Sequence, residues 1–293
     1  MESEVRETNL ADLLARALEV RRASFPPRVE FVYPRLTLPV RSTGRDCPLK
    51  CAHCRGRYLK GMTALEEALA RPPGRETSYL LSGASDLTGK VPHRERLAEV
   101  AQLAARGPLN LHTGLVGEEE AEELGKIARV VSFDFLVDRE TIRDIYGLEA
   151  SGEDFIRCYR SLKRHARVVP HLCVGLNRGL LRGEYEALKA LKEEGADAIS
   201  FIIFMPTPGT PLEKCSPPPP EEAARLLAAA RLLFPGTPLH LGCMRPGGRY
   251  RSRLDGLALK AGINKIVHPA PAARRLAGDM GLEIILEEEC CSL

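Results

Sequence analysis

Three cysteines at a fixed spacing carry the clearest chemical signal in the chain. Cys47, Cys51 and Cys54 follow the pattern C-x3-C-x2-C, directly after a short alternating apolar run. Three thiolates ligate three irons of a [4Fe-4S] cluster and leave the fourth iron open to a small molecule, whereas four thiolates close a cluster for electron transfer. The spacing therefore predicts a cluster with one open position. A zinc knuckle completed by His53 stays open as the alternative.

A second group of cysteines lies late in the sequence. Cys290 and Cys291 are adjacent, and Cys243 follows a predicted strand. Core packing does not explain two neighbouring cysteines at this position, because terminal segments are mobile unless something holds them. We predict that Cys243, Cys290 and Cys291 hold an auxiliary [4Fe-4S] cluster, with Cys215 or Ser292 as the fourth ligand. The alternative is that these residues are free thiols or a regulatory pair.

Length and composition fit one large cytoplasmic domain. The 293 residues, 44% of them hydrophobic, suffice for a (β/α)8 barrel of about 250 residues with extensions. No apolar stretch of about 18 residues and no signal-peptide pattern is present, so we expect no membrane association. The odd number of cysteines favours a reducing compartment. A net charge of +3 and only 5% aromatic residues argue against nucleic-acid binding.

Apolar periodicity predicts strands that alternate with helices of about ten residues. Asn9 caps a first helix, residues 28–35 form an extended lead-in, and the first strand covers residues 36–41. The further predicted strands are 78–82, 109–112, 130–137, 168–176, 198–205, 239–243 and 264–267. The predicted helices between the strands are 64–70, 95–105, 118–128, 152–165, 185–194, 221–234 and 254–261.

Eight strands joined by helices predict an α/β fold, a closed (β/α)8 TIM-type barrel over residues 36–270. Residues 1–35 form an N-terminal helix and lead-in, and residues 271–293 form a tail that closes over the barrel mouth. An open (β/α)6 partial barrel with a C-terminal extension is the alternative. In both barrels functional residues lie at the carboxyl ends of the strands, which is where the cysteine triplet is expected.

Three predicted strands carry polar residues two positions apart, so that each pair shares one face of its strand. The pairs are Asn110 with His112, Ser132 with Asp134, and His171 with Cys173. These residues either line a substrate site inside the barrel or tie strands together through buried hydrogen bonds.

The cysteine triplet, with a ring residue before its last member, resembles the signature of the radical S-adenosylmethionine (SAM) superfamily. Phe or Tyr is usual at the position of His53, and the resemblance implies that the His53 ring stacks against adenine. It also implies that SAM chelates the open iron and is cleaved by an electron to a 5′-deoxyadenosyl radical. The cofactors implied are a [4Fe-4S] cluster and SAM.

Two further turns resemble SAM-binding turns of this superfamily. Ser82, Gly83 and Ala84 follow the second strand, where the resemblance implies contacts with the amino group of SAM. Val174 and Gly175 resemble a Val-Gly-Leu turn of biotin synthase-like enzymes that meets the adenosine. Residues 205–212 likewise resemble a Pro-x-x-Gly-Thr-Pro loop of that group.

Longer stretches resemble the biotin-synthase-related family, which includes the two-component lipoyl synthases of archaea and some bacteria. These stretches are Phe25-Pro26-Pro27 with Tyr33-Pro34, residues 42–60, and residues 242–246. The chain lacks the strand cysteines of biotin synthase itself, apart from Cys173. Residues 1–46 also lack the auxiliary cysteines of ordinary lipoyl synthase.

The family resemblance implies one component of a two-protein lipoyl synthase, a radical SAM sulfurtransferase that thiolates a protein-bound octanoyl chain with sulfide from the auxiliary cluster. The implied partners are an octanoylated lipoyl domain or carrier protein, a second radical SAM subunit, and an electron donor such as ferredoxin or flavodoxin. Four arginines on the predicted loop after the seventh strand, around Gly247 and Gly248, would dock an acidic carrier: Arg245, Arg249, Arg251 and Arg253. The alternative is an exposed basic loop without a partner. A single-cluster radical SAM enzyme acting on a small metabolite and a non-catalytic cluster-carrying partner protein stay open as alternatives.

Overall fold

The computed structural model describes residues 2–72 and 74–293, and the chain divides into two compact units. The first unit comprises the residues up to Tyr33, with His171–Pro206 and Cys215–Glu287. The second unit comprises Pro34–Pro170, Thr207–Lys214 and Glu288–Leu293.

Helices and strands alternate along most of the described chain. The strands are β1 (Arg28–Val32), β2 (Thr37–Arg41), β3 (Thr63–Ala64), β4 (Ser78–Ser82), β5 (Leu109–His112), β6 (Val130–Asp134), β7 (Val168–Val174), β8 (Ile199–Ile203), β9 (Leu239–Leu241), β10 (Lys265–Val267) and β11 (Glu283–Glu287). The α-helices are α1 (Glu2–Glu7), α2 (Leu10–Ser24), α3 (Leu65–Ala70), α4 (Leu97–Ala104), α5 (Glu118–Gly125), α6 (Arg139–Thr141), α7 (Gly152–His165), α8 (Glu184–Glu194), α9 (Pro220–Leu233), α10 (Gly248–Lys260) and α11 (Pro271–Asp279). Tighter 3-10 turns cover Arg57–Gly61 and His93–Arg96, and a π-helical turn covers Ile142–Tyr146.

The first unit is built on a parallel sheet in the order β11-β1-β10-β9-β8-β7, to which β7 contributes its residues from His171 onward. The predicted lead-in is therefore a strand, β1, which pairs with β10 on one side and β11 on the other. It forms because Val29, Phe31 and Val32 are all buried between neighbours. Helix α2 begins after Asn9, whose side chain accepts a hydrogen bond from the Ala11 amide at 2.8 Å, and it packs against α9.

The strands of the second unit pair in parallel in the order β6-β5-β4-β2-β3. Within the described residues the strands of neither unit close into a barrel, so the α/β class is confirmed and the open partial-barrel alternative fits. All eight predicted strands are present, with the bounds of β4 and β5 as predicted. Repeated parallel βα units place the carboxyl ends of β2, β4, β5 and β6 at one edge of this sheet.

The segment 288–293, the tail segment, contacts the opposite edge of the second unit. The Leu36 amide donates to the Glu288 carbonyl at 2.9 Å, and the Cys290 amide donates to the Thr37 hydroxyl at 2.7 Å. Both partners lie at the amino-terminal end of β2. The sequence predicts that residues 271–293 close over the barrel mouth, whereas these contacts of residues 288–293 lie at the amino-terminal end of β2.

A buried ion pair joins three segments of the first unit. The Arg245 guanidinium meets both carboxylate oxygens of Asp255, at 2.9 and 3.1 Å, and both side chains are fully buried. Arg245 also donates to the Gly242 carbonyl at 2.6 Å, and Asp255 accepts from the Ala270 amide at 2.8 Å. Arg245 is therefore not available to dock a carrier. The arginine-rich segment is the start of α10 rather than a loop.

We expect Asp255→Ala to destabilise the protein by about 3–5 kcal/mol, because it leaves the Arg245 charge buried without a partner. The matched control is Arg253→Ala, which breaks an exposed pair with Glu221 and costs about 1 kcal/mol or less. Urea unfolding followed by circular dichroism measures both. Equal losses in the two variants would contradict the assignment of Asp255 as a structural anchor.

A buried histidine links two loops of the second unit. His93 is fully buried, with Nδ1 at 2.9 Å from the Ser42 hydroxyl and Nε2 at 2.8 Å from the His112 carbonyl. Burial disfavours the imidazolium form and lowers the pKa of His93 to about 4, although the bond to His112 opposes the shift. The folded protein therefore holds a neutral imidazole at this position.

This histidine makes stability depend on pH. The pKa of His93 in the folded protein lies below its unfolded value of about 6.5. The contribution of the neutral His93 to the free energy of unfolding is therefore complete above pH 6.5 and is lost as the pH falls from about 6.5 to 4. The expected loss is about 3 kcal/mol over that window. Unfolding free energies measured against pH should show this slope, and His93→Gln should remove it. A slope unchanged in His93→Gln would contradict the assignment.

Candidate metal centre

A cavity of about 210 Å³ lies within the second unit, at the carboxyl ends of its strands. Its lining residues come from the loops or last residues of four strands. They include Cys47, Cys51 and Cys54 after β2, Ser82 and Gly83 at β4, His112 at β5, and Asp134 at β6. The cavity is therefore the place at which the predicted cysteine triplet meets the polar residues of the sheet.

The loop after β2 folds so that its sulfur and imidazole groups converge. The donor atoms of Cys51, His53 and Cys54 all lie within 4.8 Å of one another. Cys47 lines the same cavity, with its sulfur 3.7 Å from the Ser85 carbonyl. A left-handed Gly56 (φ +69°) turns the chain close beside Cys47, and a Cβ there would lie 2.9 Å from the Cys47 Cβ.

Charge in this loop is concentrated on Cys54. A hydrogen bond from Cys51 is the main cause that lowers the pKa of Cys54 to about 4, and a bond from His53 adds to it despite burial. The pKa of Cys51 rises in return, first through its bond with Cys54 and then through burial. Burial lowers the pKa of His53, but Cys54 and Asp134 outweigh it and raise the pKa overall. The loop thus presents a thiolate, the form that ligates metals.

The donor set fits a sulfur-ligated metal group. Thiolates are the ligands preferred by iron–sulfur clusters and by zinc. The Nδ1 atom of His53 is buried and lacks a hydrogen-bond partner among the described residues. Because Cys51, His53 and Cys54 are the three that converge most closely, the geometry also suits the zinc alternative.

Residues predicted to contact SAM fall into two places. Ser82 and Gly83 line the cavity, and Gly83 is tightly packed, since an added Cβ would lie 2.7 Å from Val91. Ala84 is buried behind them, and its amide donates to the Thr43 hydroxyl at 2.6 Å. This packing defines the backbone course of the turn, and the SAM contact itself stays a prediction.

Val174 and Gly175 belong to the first unit. Val174 ends β7 and is buried. Gly175 is left-handed (φ +73°), its amide donates to Glu184 at 2.8 Å, and a Cβ there would lie 2.6 Å from Pro218. The adenosine contact of this turn also stays a prediction.

The polar strand pairs divide between the two roles predicted for them. His112, Ser132 and Asp134 line the cavity. Asn110 is buried and lies 2.9 Å from the Ser132 hydroxyl through its side-chain oxygen, so it ties strands together. The third pair, His171 and Cys173, lies on β7 in the first unit.

Sequence reasoning missed Tyr146. Its ring centroid lies 5.2 Å from that of His53, and its hydroxyl donates to Asp134 at 3.1 Å. It is placed by the π-helical turn Ile142–Tyr146, which ends at the left-handed Gly147 (φ +73°) and also provides the Ile145 carbonyl that accepts from the Ala52 amide at 2.7 Å. Only the glycine after Tyr146 signals this turn in the sequence.

A second contact missed from the sequence involves the loop Thr207–Lys214. The Tyr58 hydroxyl lies 2.9 Å from the Thr207 hydroxyl, and the Arg57 guanidinium occupies the space where a Gly209 side chain would be. The loop that resembles Pro-x-x-Gly-Thr-Pro thus packs against the segment that follows the cysteine triplet.

The auxiliary cysteines also lie in two places. Cys290 is half-buried and Cys291 buried in the second unit, where the Asn110 side-chain amide donates to the Cys290 sulfur at 3.2 Å. A hydrogen bond from Cys291 is the main cause that lowers the pKa of Cys290 to about 6, against the effect of burial. Cys243 is exposed after β9 in the first unit. A second cluster on these cysteines stays a prediction.

Comparisons with known proteins identify several proteins to which the chain is similar. The model of the Biotin and Thiamin Synthesis associated domain matches residues 200–270. The 3-methylornithine synthase of Methanosarcina acetivorans is 24% identical over 83% of this chain and 71% of its own length. The biotin synthase of Halorhodospira halophila is 27% identical over 89% of this chain and 82% of its own length.

Solved structures with the same fold agree with these relatives. A crystal structure of methylornithine synthase has a TM-score of 0.68 at 18% identity, covering 97% of this chain and 94% of its own. The FeFe-hydrogenase maturase HydG from Carboxydothermus hydrogenoformans has a TM-score of 0.65 at 15% identity, covering 87% of this chain and 62% of its own.

The chain is similar to biotin synthase and 3-methylornithine synthase, which are radical SAM enzymes, and its cysteine triplet lies in the cavity at the carboxyl ends of the strands. This similarity is consistent with the biotin-synthase-related radical SAM family. These relatives imply a [4Fe-4S] cluster and SAM as cofactors. Among the described residues, no helix is long and apolar enough to cross a membrane.

We expect Cys51→Ala and Cys54→Ala each to remove about four irons per chain after anaerobic reconstitution, because a cluster with two remaining thiolates is poorly held. Cys158→Ala is the matched control: it removes a buried thiol of the same unit, bonded to the Val116 amide at 3.3 Å. It should leave the iron content unchanged. One zinc per chain without acid-labile sulfide would contradict the cluster and support the zinc knuckle.

Proposed function

We propose that the chain is one component of a two-protein lipoyl synthase, which inserts sulfur into a protein-bound octanoyl chain. The observation that carries this proposal is the second pair of thiols, Cys290 and Cys291, within the unit that holds the cysteine triplet. A radical SAM enzyme that only abstracts hydrogen needs one cluster, whereas sulfur insertion needs a source of sulfur besides SAM. The stretches resembling the biotin-synthase-related family support the same proposal.

The residues of the chain then have defined roles. Cys47, Cys51 and Cys54 would hold the first cluster, and Cys290 and Cys291 would contribute thiolates to the auxiliary one. When bound, the first cluster with SAM supplies an organic radical that removes hydrogen from an unactivated C–H bond. The backbone of Ser82-Gly83-Ala84 and the ring of His53 would orient SAM.

The cavity wall suits an aliphatic chain. Leu115, Phe133, Leu148 and Phe155 line it on one side. Apolar walls exclude water and hold an acyl chain through burial of its methylene groups, each contributing about 0.8 kcal/mol. Such a wall positions one carbon and protects a reactive radical from solvent.

The partners are part of the proposal. An octanoylated lipoyl domain or small carrier protein would present the acyl chain, a second radical SAM subunit would complete the enzyme, and ferredoxin or flavodoxin would supply electrons. Of the four arginines predicted to dock the carrier, Arg249 and Arg253 are exposed, and Arg253 pairs with Glu221 at 2.8 Å. Arg251 is half-buried and donates to the Arg245 carbonyl at 2.9 Å.

A single-cluster enzyme acting on a small amine is the second candidate. Its support is the similarity to 3-methylornithine synthase and the exposed Asp134 carboxylate in the cavity lining, which would pair with a substrate ammonium. This function needs neither Cys290 nor Cys291.

Iron and acid-labile sulfide per chain separate the two functions. We expect about eight irons in the reconstituted parent chain and about four in Cys290→Ala/Cys291→Ala, with the Cys158→Ala control at the parent value. With SAM, a reductant, the second subunit and an octanoylated lipoyl domain, the parent should form deoxyadenosine and a thiolated domain, and the double variant deoxyadenosine alone. About four irons in every variant, with no thiolated product, would reject sulfur insertion and favour the small-amine enzyme.

A further inference from the structure

The tail segment, Glu288–Leu293, crosses the second unit at the amino-terminal ends of its strands. Its backbone bonds to Leu36 and Thr37 hold it at the start of β2, and Glu289 bonds to the Thr77 hydroxyl directly before β4. The Leu293 amide donates to the Cys290 carbonyl at 2.9 Å, which closes a turn over the last four residues. The segment therefore runs along one edge of the sheet and turns its middle residues toward the sheet.

One arginine ties the end of the segment to the sheet. A guanidinium nitrogen of Arg167 donates to the carbonyls of Ser292 and Leu293, at 3.0 and 3.1 Å. Arg167 is itself fixed by its position directly before β7, where its carbonyl accepts from the Val131 amide at 2.9 Å. Charged donors to backbone carbonyls are among the stronger hydrogen bonds, so Arg167 is the main anchor of this end.

The side chains of the segment enter a buried polar layer. The Asn110 side chain contacts the Cys290 sulfur through its nitrogen and the Ser132 hydroxyl through its oxygen. The Ser132 hydroxyl also lies 3.2 Å from that of Ser292. Asn110, Ser132 and Ser292 are all fully or almost fully buried. Fully connected buried polar groups hold one arrangement, because breaking any bond leaves an unsatisfied partner.

Ser132 connects this layer to the cavity. It is a lining residue of the cavity, and His112, two residues beyond Asn110 on the same face of β5, is another. The cysteine triplet lies at the carboxyl edge of the strands. Cys290 and Cys291 lie on the other side of the Asn110–Ser132 layer.

We propose that Asn110 and Arg167 are positioning residues that hold Cys290 and Cys291 of the tail segment on the far side of the Asn110–Ser132 layer, where the two thiols bind a thiophilic metal group. The proposal rests on the proposed function and deepens it, because it assigns the residues that fix the second pair of thiols. Asn110 directs the Cys290 sulfur, and Arg167 holds the end of the segment against the sheet.

The anchor is tested by residue-level alkylation of the full chain without metal. Iodoacetamide labelling followed by mass spectrometry gives a rate for each cysteine. We expect Arg167→Gln to accelerate labelling of Cys290 and Cys291 about tenfold, because local opening exposes them. The matched control is Arg106→Gln, which also removes an exposed arginine that donates to backbone carbonyls, those of Ala68, Leu69 and Arg71.

The rate for the buried Cys158 reports global unfolding in the same samples. It should be equal in the parent and both variants. Equal labelling rates of Cys290 and Cys291 in the parent and Arg167→Gln would overturn the role of Arg167, whatever the protein's activity.

The binding site is tested with Cd2+ alone, in a full chain that carries Cys47→Ser, Cys51→Ser and Cys54→Ser. Cadmium–thiolate absorption follows binding by the remaining cysteines. Adding Asn110→Leu should weaken Cd2+ binding about tenfold, and adding Cys290→Ser/Cys291→Ser should abolish the high-affinity phase. Adding Cys158→Ala should leave it unchanged.

Cd2+ binding that is the same with and without Cys290 and Cys291 would overturn the proposal. The two proposals can also fail separately. If Cd2+ binding and labelling behave as expected but only one iron–sulfur cluster assembles, the tail segment is a metal-binding segment and the proposed sulfur insertion is wrong.

Discussion

Parallel pairing is the constraint on which the candidate site depends. Every strand of the second unit runs in the same direction, so the last residues of β2, β4, β5 and β6 meet at one edge. Side chains far apart in sequence, such as Cys51 and Asp134, thereby line one cavity. The sheet fixes the position at which each loop begins, and the functional side chains of each loop therefore reach the cavity.

At that edge, short-range contacts position the thiols and the imidazole of the loop after β2. A glycine turn brings the triplet together, and the π-helical turn that ends at Tyr146 packs against His53. Hydrogen bonds from Cys51 and His53 lower the pKa of Cys54 despite burial, and Cys54 in turn raises the pKa of His53. A loop arranged in this way is prepared for a metal group before one binds, which lowers the cost of ordering the ligands at the moment of binding.

Local signals in the sequence were sufficient for the eight strands and for the triplet. Alternation of apolar residues located β4 and β5, and Asn9 marked the start of α2. The features that the sequence does not predict depend on contacts between residues far apart in the chain. The sequence predicts residues 28–35 only as an extended lead-in, because the partners of β1, β10 and β11, lie more than 200 residues later in the chain. The position of segment 288–293 likewise depends on Thr37, Asn110 and Arg167, whose alignment with it only the folded sheet creates.

Two other features of the structure, the start of α10 and the position of Tyr146, also depend on tertiary contacts that the sequence does not reveal. The Gly247-Gly248 pair indicates a loop, but α10 begins there and buries Arg245 against Asp255, a pairing that no spacing rule reveals. Tyr146 reaches the cavity only through the π-helical turn, a rare conformation without a clear sequence pattern.

The central claim is that one chain carries two sulfur sites, one at each end of a single sheet. The most direct test is the anomalous scattering of iron in crystals of the anaerobically reconstituted protein with SAM. The account predicts one iron peak at Cys47, Cys51 and Cys54 and a second at Cys290 and Cys291. A single peak at the triplet, with ordered but unligated sulfurs in segment 288–293, would contradict it.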